Sequence, residues 1–263
     1  MTERNWRLDG KVALVTGSSS GAGAEIALAL GRLGAAVAVH CRGNVAAAEA
    51  VAAKIAAAGA KAAAFAADLA QADACRTLAS TVANKLGPAD ILVNNAGPYA
   101  DAGFRSLALE DYERIMAVNL RAPYLLAQQV VGGMESRGWG RIVNIAATSA
   151  FVRTHSVYGL AKAALVHLTE AMAVEFAPAV TVNAIAPGQI ASPRTDKMPV
   201  YKAAVIGDTP LGRLVTEREV ADIATRFCAP EFAAVTGHTV VIDGGRSIPR
   251  ISGIGPELAY IAQ

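Results

Sequence analysis

The sequence has few cysteines, and they do not cluster. Cys41, Cys75 and Cys228 are its only 3 cysteines, they lie far apart, and none belongs to a Cys-x-x-Cys pair or accompanies a group of histidines. This spacing argues against a disulfide framework and against a structural zinc site. We therefore predict no bound metal.

The sequence also lacks a long apolar run and a block of like charges. No uninterrupted apolar run is long enough to span a bilayer, and the first seven residues are polar and lack the apolar core of a signal peptide. The formal net charge is +2, and the basic residues are scattered, so neither a nucleic acid nor a membrane surface is expected as a partner. We expect a soluble, cytoplasmic protein.

Short apolar segments that read as buried strands alternate with helical segments along the whole chain. The 263 residues, 53% of them hydrophobic, can build one large core, so a single domain is expected. Alternating strands and helices predict an α/β fold, a Rossmann-type doubly wound parallel sheet with helices on both faces. The predicted strands are Lys11–Thr16, Ala35–Cys41, Lys61–Ala66, Ala89–Val93, Gly140–Ala146, Val180–Ile185 and Thr239–Ile242.

A glycine-rich turn follows the first strand and leads into an apolar helix. It reads Gly17-Ser18-Ser19-Ser20-Gly21-Ala22-Gly23. Gly17 can turn the chain with a positive φ, Gly21 leaves room for a pyrophosphate, and Gly23 lets the helix lie close to the strand. The helix N-terminus adds unpaired N–H groups and a partial positive charge. We predict a dinucleotide-phosphate site here.

The end of the second strand predicts which dinucleotide binds. A carboxylate there would accept hydrogen bonds from the ribose hydroxyls of NAD(H), whereas a 2′-phosphate favours Arg. The sequence at this point is His40-Cys41-Arg42-Gly43-Asn44, which has one Arg and no acid. NADP(H) is therefore predicted, with Arg42 as the phosphate partner and the Ser18 and Ser19 hydroxyls as helpers; the alternative is that Arg42 is a solvated loop cation.

Three further patterns indicate where functional residues lie. Asn94-Asn95-Ala96-Gly97 ends the fourth strand, where Asn side chains can fix a turn. Pro123 leaves the carbonyl of Asn119 without its helical donor, which predicts a kink in the helical segment 109–134. Tyr158 and Lys162 lie one turn apart on a helix predicted over Val157–Ala177, so the ammonium should lower the pKa of the phenol.

Together these motifs resemble the short-chain dehydrogenase/reductase family, in particular its members that act as 3-oxoacyl-(acyl-carrier-protein) reductases. The resemblance covers about residues 8–246, and rests on Thr-Gly-x-x-x-Gly-x-Gly, Asn-Asn-Ala-Gly and Tyr-x-x-x-Lys. It implies an oxidoreductase that transfers hydride between nicotinamide and the carbonyl or alcohol of a small molecule. It also implies a homo-oligomer, a dimer or a tetramer.

The resemblance also assigns roles to individual residues. It implies that Tyr158 is the acid, that Lys162 tunes it and binds the nicotinamide ribose, and that Asn119 relays protons through a water. Asp68 would contact adenine, although a helix N-cap is the alternative, and Asn119 could instead be a purely structural irregularity. The remaining residues assigned to the cofactor are Ser20, Leu69, Asn95, Ala96, Gly97, Pro187, Gly188, Ile190 and Ser192.

One position departs from the family pattern. The family places a Ser three residues after the Asn that corresponds to Asn144, and this chain has Ala147 there. Thr148 or Ser149 could replace the missing hydroxyl, and if neither does, the chain is a weakened or specialised reductase. The alternative function is a cofactor-binding protein with little redox turnover, a sensor or a partner subunit. Residues 193–212 are predicted to form a loop with one short helix, where the family keeps its substrate lid. The tail from Ser247 to Gln263 is predicted to form a subunit or active-site cover.

Overall fold

A computed structural model describes residues 6–100, 102–152 and 156–248. Most of the tail predicted to be a cover, residues 249–263, lies outside these ranges. The strands form one parallel sheet in the order β3-β2-β1-β4-β5-β6-β7, which confirms the predicted fold class. Their bounds are β1 Val12–Val15, β2 Ala36–Cys41, β3 Ala62–Ala66, β4 Ile91–Asn94, β5 Gly140–Ile145, β6 Val180–Pro187 and β7 Thr239–Ile242.

Helices cover both faces of the sheet, because alternate residues of each strand point to opposite faces. Ala13 and Val15 of β1 belong to the core cluster that contains α1, α2 and α9, whereas Val12 and Leu14 pack with α3, α5 and α6. The helices are α1 Gly21–Arg32, α2 Val45–Ala57, α3 Ala72–Leu86, α4 Leu109–Met116, α5 Ala122–Ser136, α6 Val157–Glu175, α7 Pro193–Asp196, α8 Pro199–Asp208 and α9 Glu217–Arg226.

The helical segment around Pro123 is irregular, as its sequence predicts. A π-helical turn, Ala117–Arg121, separates α4 from α5, and Pro123 is the second residue of α5. Proline cannot donate to the carbonyl four residues before it, so the helix widens there. The irregularity places Asn119 where its side chain points into the protein rather than into solvent: the residue is fully buried.

Residues 193–212 contain more helix than the predicted loop with one short helix. Two helices, α7 and α8, occupy most of the segment. Ser192 caps the first through a capping box with Thr195, and the second begins at Pro199. The start of α7 is readable in the sequence, because Ser before Pro at the first helical position is a helix-start signal. The start of α8 has only the Pro, since its N-cap residue is Met198 and makes no side-chain capping bond.

Candidate active site

The glycine-rich turn between β1 and α1 has the backbone that was predicted, with a further constraint. Gly17 and Gly21 adopt φ values of +63° and +61°, which L side chains rarely adopt. A Cβ on Gly17 would also lie 2.9 Å from the Cα of Ala96. A Cβ on Gly23 would overlap the carbonyl oxygen of Gly17 and the amide nitrogen of Asn95. The backbone of the turn therefore packs directly against the segment that follows β4, with no room for side chains at Gly17 and Gly23.

The N-terminus of α1 has features that suit an anion, and a carboxylate oxygen of Glu217 lies 3.6 Å from the position of a Cβ on Gly21. Ser20 is the N-cap residue in extended conformation, its side chain makes no capping hydrogen bond, and the first turn carries no acidic residue. The first N–H groups of a helix have no partners within it, and they favour negative charge. With the left-handed glycines beside them, these residues fit a dinucleotide pyrophosphate, and Ser19 and Ser20 remain available to it.

Ser18 does not fit its predicted role. It is fully buried, its hydroxyl donates to the carbonyl of Val15 at 2.7 Å, and that oxygen accepts the N–H of His40 at 2.9 Å. The hydroxyl is thus engaged inside the protein, so the prediction that it helps to bind the 2′-phosphate is wrong. It joins β1 to β2 instead.

Asn95 binds the turn. Its side-chain amide donates to the carbonyls of Thr16 at 2.9 Å and Gly17 at 3.1 Å. In return, the Thr16 hydroxyl accepts the N–H groups of Asn95 and Ala96 at 2.9 and 3.0 Å. Asn95 therefore stabilises the cofactor turn from behind, and Thr16, for which the sequence analysis assigned no role, completes the clamp.

The ends of β2 and β3 carry the two charged residues predicted at the adenosine end. Arg42 is exposed at the end of β2. Asp68 follows β3 and pairs with Arg114 of α4, Nη2 to Oδ1 at 3.2 Å. Partial burial acts to raise the pKa of Asp68, but the N–H of Ala70 and the Arg114 guanidinium outweigh it and lower that pKa. Asp68 is a carboxylate held at the carboxyl edge of the sheet.

The alternative reading of Asp68 as a helix cap is wrong. Gln71 is the N-cap residue of α3 and makes no side-chain capping bond, whereas Asp68 Oδ1 accepts the N–H of Ala70 two residues later at 3.1 Å. This is a local turn before the helix. Leu69 is buried beneath it.

Tyr158 and Lys162 lie in the first turns of α6, near the carboxyl ends of β4 and β5. Lys162 is 2% exposed, and its ammonium donates to the carbonyl of Ile145. Its Nζ lies 5.5 Å from the centre of the Tyr158 ring, and the Tyr99 ring packs edge-on against the same ring with centroids 5.3 Å apart. The predicted pair is therefore in place.

The expected direction of the Tyr158 pKa shift is wrong in this structure. Burial, with a smaller contribution from Tyr99, raises the pKa of Tyr158 to about 12. Burial also lowers the pKa of Lys162 to about 7. The cost of removing both charges from water outweighs their attraction. Near neutral pH the phenol is therefore protonated, while the amine exchanges between its two forms.

Asn119 meets Lys162 beside Gly97. Its side-chain amide donates to the carbonyls of Pro98 and Ile115, both at 3.0 Å, while Oδ1 is buried and has no partner among the described residues. A Cβ on Gly97 would overlap this oxygen and lie 3.3 Å from Lys162 Nζ. The absence of a side chain at Gly97 thus leaves the amide oxygen and the ammonium facing one small space.

The missing Ser has one structural candidate. Ala147 is in extended backbone before a 3₁₀ turn, Thr148–Ala150, which packs against α6. Within this turn Ser149 Oγ is buried and has no hydrogen-bond partner among the described residues. A buried hydroxyl is normally paired. Because its hydroxyl has no partner among the described residues, we take Ser149 forward as the candidate to replace the missing Ser.

The segment after β6 has a structural role in addition to the one assigned to it. Pro187 ends β6, and a Cβ on Gly188 would lie 2.7 Å from that of Asp243. Ile190 pairs with Val215 in an isolated parallel bridge. The Ser192 hydroxyl accepts the N–H of Thr195 at 3.4 Å, so it is partly committed to capping α7.

A buried polar chain behind the catalytic helix was missed by the sequence analysis. Asn94 donates to Asn144 at 2.8 Å, Asn144 donates to the Thr169 hydroxyl at 2.9 Å, and Thr169 donates to the carbonyl of Leu165 at 2.8 Å. These bonds join β4 and β5 to α6. The available signal was an Asn at or near the end of each of two apolar strands, because a buried polar side chain normally has a hydrogen-bond partner.

Two features of the described residues bear on other functions. No group of three or more metal-ligating side chains occurs in the described part of the chain. Among the same residues, α6 is long and apolar enough to cross a membrane by length and composition, but it packs on the sheet and carries Tyr158 and Lys162. Its composition is that of a core helix.

Comparison with known proteins identifies the family. Residues 11–200 match the family described as short chain dehydrogenase. The chain is 36% identical over 242 residues to the 3-oxoacyl-(acyl-carrier-protein) reductase FabG of Pseudomonas aeruginosa, covering 90% of this chain and 98% of that protein. It is 36% identical over 243 residues to Nodulation protein G of Azospirillum brasilense, covering 89% and 97%.

Solved structures agree with the sequence match. A short-chain type dehydrogenase/reductase from Mycobacterium marinum superposes with a TM-score of 0.86 at 35% identity, covering 92% of this chain and 98% of that one. The fold, the glycine turn and the Tyr158–Lys162 pair therefore have one explanation: this chain belongs to the short-chain dehydrogenase/reductase family of oxidoreductases.

Proposed function

We propose that the chain is an NADPH-dependent reductase of a small-molecule or acyl carbonyl, able to run in reverse as an alcohol dehydrogenase. The observation that carries the proposal is the convergence of Lys162 Nζ and Asn119 Oδ1 beside Gly97, next to Tyr158. Buried polar atoms normally have a hydrogen-bond partner, so an Asn119 oxygen without one among the described residues favours a role in binding a water or a ligand. FabG and the acetoacetyl-CoA reductase of Rhizobium meliloti, 35% identical, are relatives named as reductases.

The residues of the chain divide the chemistry among them. A bound nicotinamide would supply the hydride. Tyr158 keeps its proton at neutral pH, since its pKa is about 12, and delivers it to the carbonyl oxygen, which Ser149 Oγ holds by a second hydrogen bond. The Lys162 ammonium has donors beyond the one given to Ile145, and it stabilises the phenolate that remains. Asn119 Oδ1 holds the water that returns a proton.

The choice of NADPH rests on Arg42. It is exposed at the end of β2, and no carboxylate occurs between His40 and Asn44 to repel a 2′-phosphate. Wild-type protein should bind NADPH at least about 10-fold more tightly than NADH, and Arg42→Asp should move the preference toward NADH. Fluorescence titration with both cofactors tests this, and equal affinity in the wild type would overturn the choice.

A second candidate follows from Ala147. If no group supplies the missing hydrogen bond and no carbonyl is turned over, the chain is a cofactor-binding protein with little turnover, acting as a sensor or a partner subunit. Assays of NADPH oxidation over a broad carbonyl panel separate the two. Cofactor binding without turnover of any carbonyl would favour the second.

We also propose a cytoplasmic homo-oligomer, a dimer or a tetramer. The face formed by α4, α5 and α6 exposes Leu109, Tyr112, Tyr124 and Leu160, and the groove in it carries charges of both signs. A face with mixed charge can be self-complementary about a two-fold axis. Light scattering of wild type and Tyr124→Glu tests this; a monomeric wild type would contradict it.

A further inference from the structure

His40 connects the cofactor turn to the end of β3 through both nitrogens of its ring. It lies near the end of β2 and is 2% exposed. Its Nδ1 accepts the backbone N–H of Gly17 at 3.0 Å, and its Nε2 lies 3.0 Å from the carbonyl oxygen of Ala67. An amide N–H only donates and a carbonyl only accepts, so these partners fix the neutral tautomer with the proton on Nε2.

The backbone of His40 is bound to the same turn. Its N–H donates to the Ser18 hydroxyl at 2.9 Å, and its carbonyl accepts the N–H of Ser18 at 2.9 Å. One residue thereby fixes the first two residues of the turn, Gly17 and Ser18. On its other side it contacts Ala67, the neighbour of Asp68. The phosphate turn and the adenosine end are therefore linked through a single imidazole.

We propose that neutral His40 is a positioning residue for the cofactor turn, and that its protonation weakens the binding of the nicotinamide dinucleotide. A protonated ring has N–H groups at both nitrogens, so Nδ1–H would face the N–H of Gly17. Two donors cannot share a hydrogen bond, and Gly17 would have to move. Since Gly17 packs closely on Ala96, that movement disturbs the whole turn. This inference depends on the proposed function in one respect, that the ligand of the turn is a nicotinamide dinucleotide.

Two groups near His40 favour the charged ring: the Ala67 carbonyl and the Asp68 carboxylate at the end of β3. Arg42 lies two residues after His40, at the end of β2. The turn itself contributes no charge through Gly17 or Ser18, and Cys41 is the adjacent titratable side chain. Burial outweighs the attraction of Asp68 and lowers the pKa of His40 below its ordinary value. The ring is therefore neutral at neutral pH and accepts a proton only in acid.

The test compares the affinity for NADP⁺, which is stable in acid, from pH 8 to pH 5 in wild type and His40→Asn. The Asn side-chain oxygen can accept the N–H of Gly17, but it does not titrate. We expect the wild-type affinity to fall about 10-fold more than that of the variant, the effect of losing one buried hydrogen bond. The 2′-phosphate titrates in the same range, so NAD⁺, which lacks it, is the second probe.

His167→Asn is the matched control, since that histidine is 87% exposed and should leave the wild-type profile unchanged. Parallel profiles for wild type and His40→Asn would overturn the inference while the proposed function stands. Failure of the wild type to bind either dinucleotide at pH 8 would instead overturn both.

A second measurement needs no variant. By linkage, a ligand that requires neutral His40 must lower the pKa of His40 when it binds. Nitrogen NMR of the ring in wild-type protein, with and without NADP⁺, reports both the tautomer and the pKa. A lowered pKa with the proton on Nε2 supports the inference. An unchanged pKa, or a proton on Nδ1, overturns it even if His40→Asn does not fold.

Discussion

The phosphate end and the catalytic end of the site differ in how completely the protein satisfies its own polar groups. At the phosphate end, the Thr16 and Ser18 hydroxyls, the Asn95 amide and the His40 ring all hydrogen-bond within the protein. At the catalytic end, Asn119 Oδ1 and Ser149 Oγ are buried without a partner in the described residues. Lys162 is a buried amine bound to one carbonyl.

This difference separates two requirements of an oxidoreductase. The phosphate end must present main-chain N–H groups in one geometry, so side chains are used to hold the backbone. The catalytic end must change its hydrogen bonds during a reaction, so it holds unused donors and acceptors in place before the substrate arrives. Substitutions at the phosphate end should act on cofactor binding. Those at the catalytic end should act on turnover or on stability.

The largest effect is expected from Tyr158→Phe, which removes the transferable proton and keeps the ring. Reductase kcat should fall about 10³-fold, in the range of a lost general acid, with cofactor affinity nearly unchanged. Lys162→Ala should lose both reductase activity and cofactor affinity. Steady-state kinetics and cofactor titration check this. Wild-type turnover in the Phe variant would exclude Tyr158 from the mechanism.

Gly23→Ala tests the phosphate end. Its Cβ would overlap the carbonyl of Gly17 and the amide of Asn95, so the turn must open and NADP⁺ affinity should fall on the order of 10²-fold, a typical cost of misplacing a binding group. Gly43→Ala is the matched control, because a Cβ there meets nothing within 4 Å. Equal affinities of the two variants would contradict the close packing of the turn.

Ser149→Ala tests the catalytic end more finely. If its unpartnered hydroxyl holds the substrate oxygen, kcat/KM should fall roughly 10²-fold, as for a lost oxyanion donor, while Thr148→Val and Ala147→Ser change little. The reverse pattern, in which Ser149→Ala is neutral and Ala147→Ser raises activity, would mark a weakened or specialised reductase. Kinetics with one accepted carbonyl decide between these outcomes.

The smallest effect concerns stability. Burial lowers the pKa of Lys162 from 10.5 to about 7, so the unfolded chain binds the proton more tightly. The cost of burying the amine is complete below pH 7, and it declines as the pH rises toward 10.5. Lys162→Met should therefore be more stable than wild type at pH 6.5 by about 1–4 kcal/mol, and by less at pH 9.5.

Urea unfolding at both pH values measures this difference, with exposed Lys54→Met as the control. The control should match the wild type at each pH. A Lys162→Met variant that gains nothing at pH 6.5 would show that the buried ammonium is compensated by groups other than the carbonyl of Ile145.

The sequence by itself determined the features that depend on local geometry. The left-handed turn needs Gly17 and Gly21, the spacing of Tyr158 and Lys162 places them on one helical face, and Pro123 breaks the helix beside Asn119. Each of these follows from the conformational limits of a few adjacent residues, and each is present in the structure. The α/β fold followed in the same way from the alternation of strands and helices.

The tertiary structure alone decided which partners the polar groups have. Ser18 and Ser19 are adjacent and chemically identical, yet the Ser18 hydroxyl bonds to Val15 and His40. The pKa of Tyr158 rises rather than falls because burial exceeds the influence of the amine, and burial is set by helices distant in sequence. Desolvation and hydrogen-bond partners depend on the three-dimensional surroundings of a residue, and its neighbours in the sequence do not determine these surroundings.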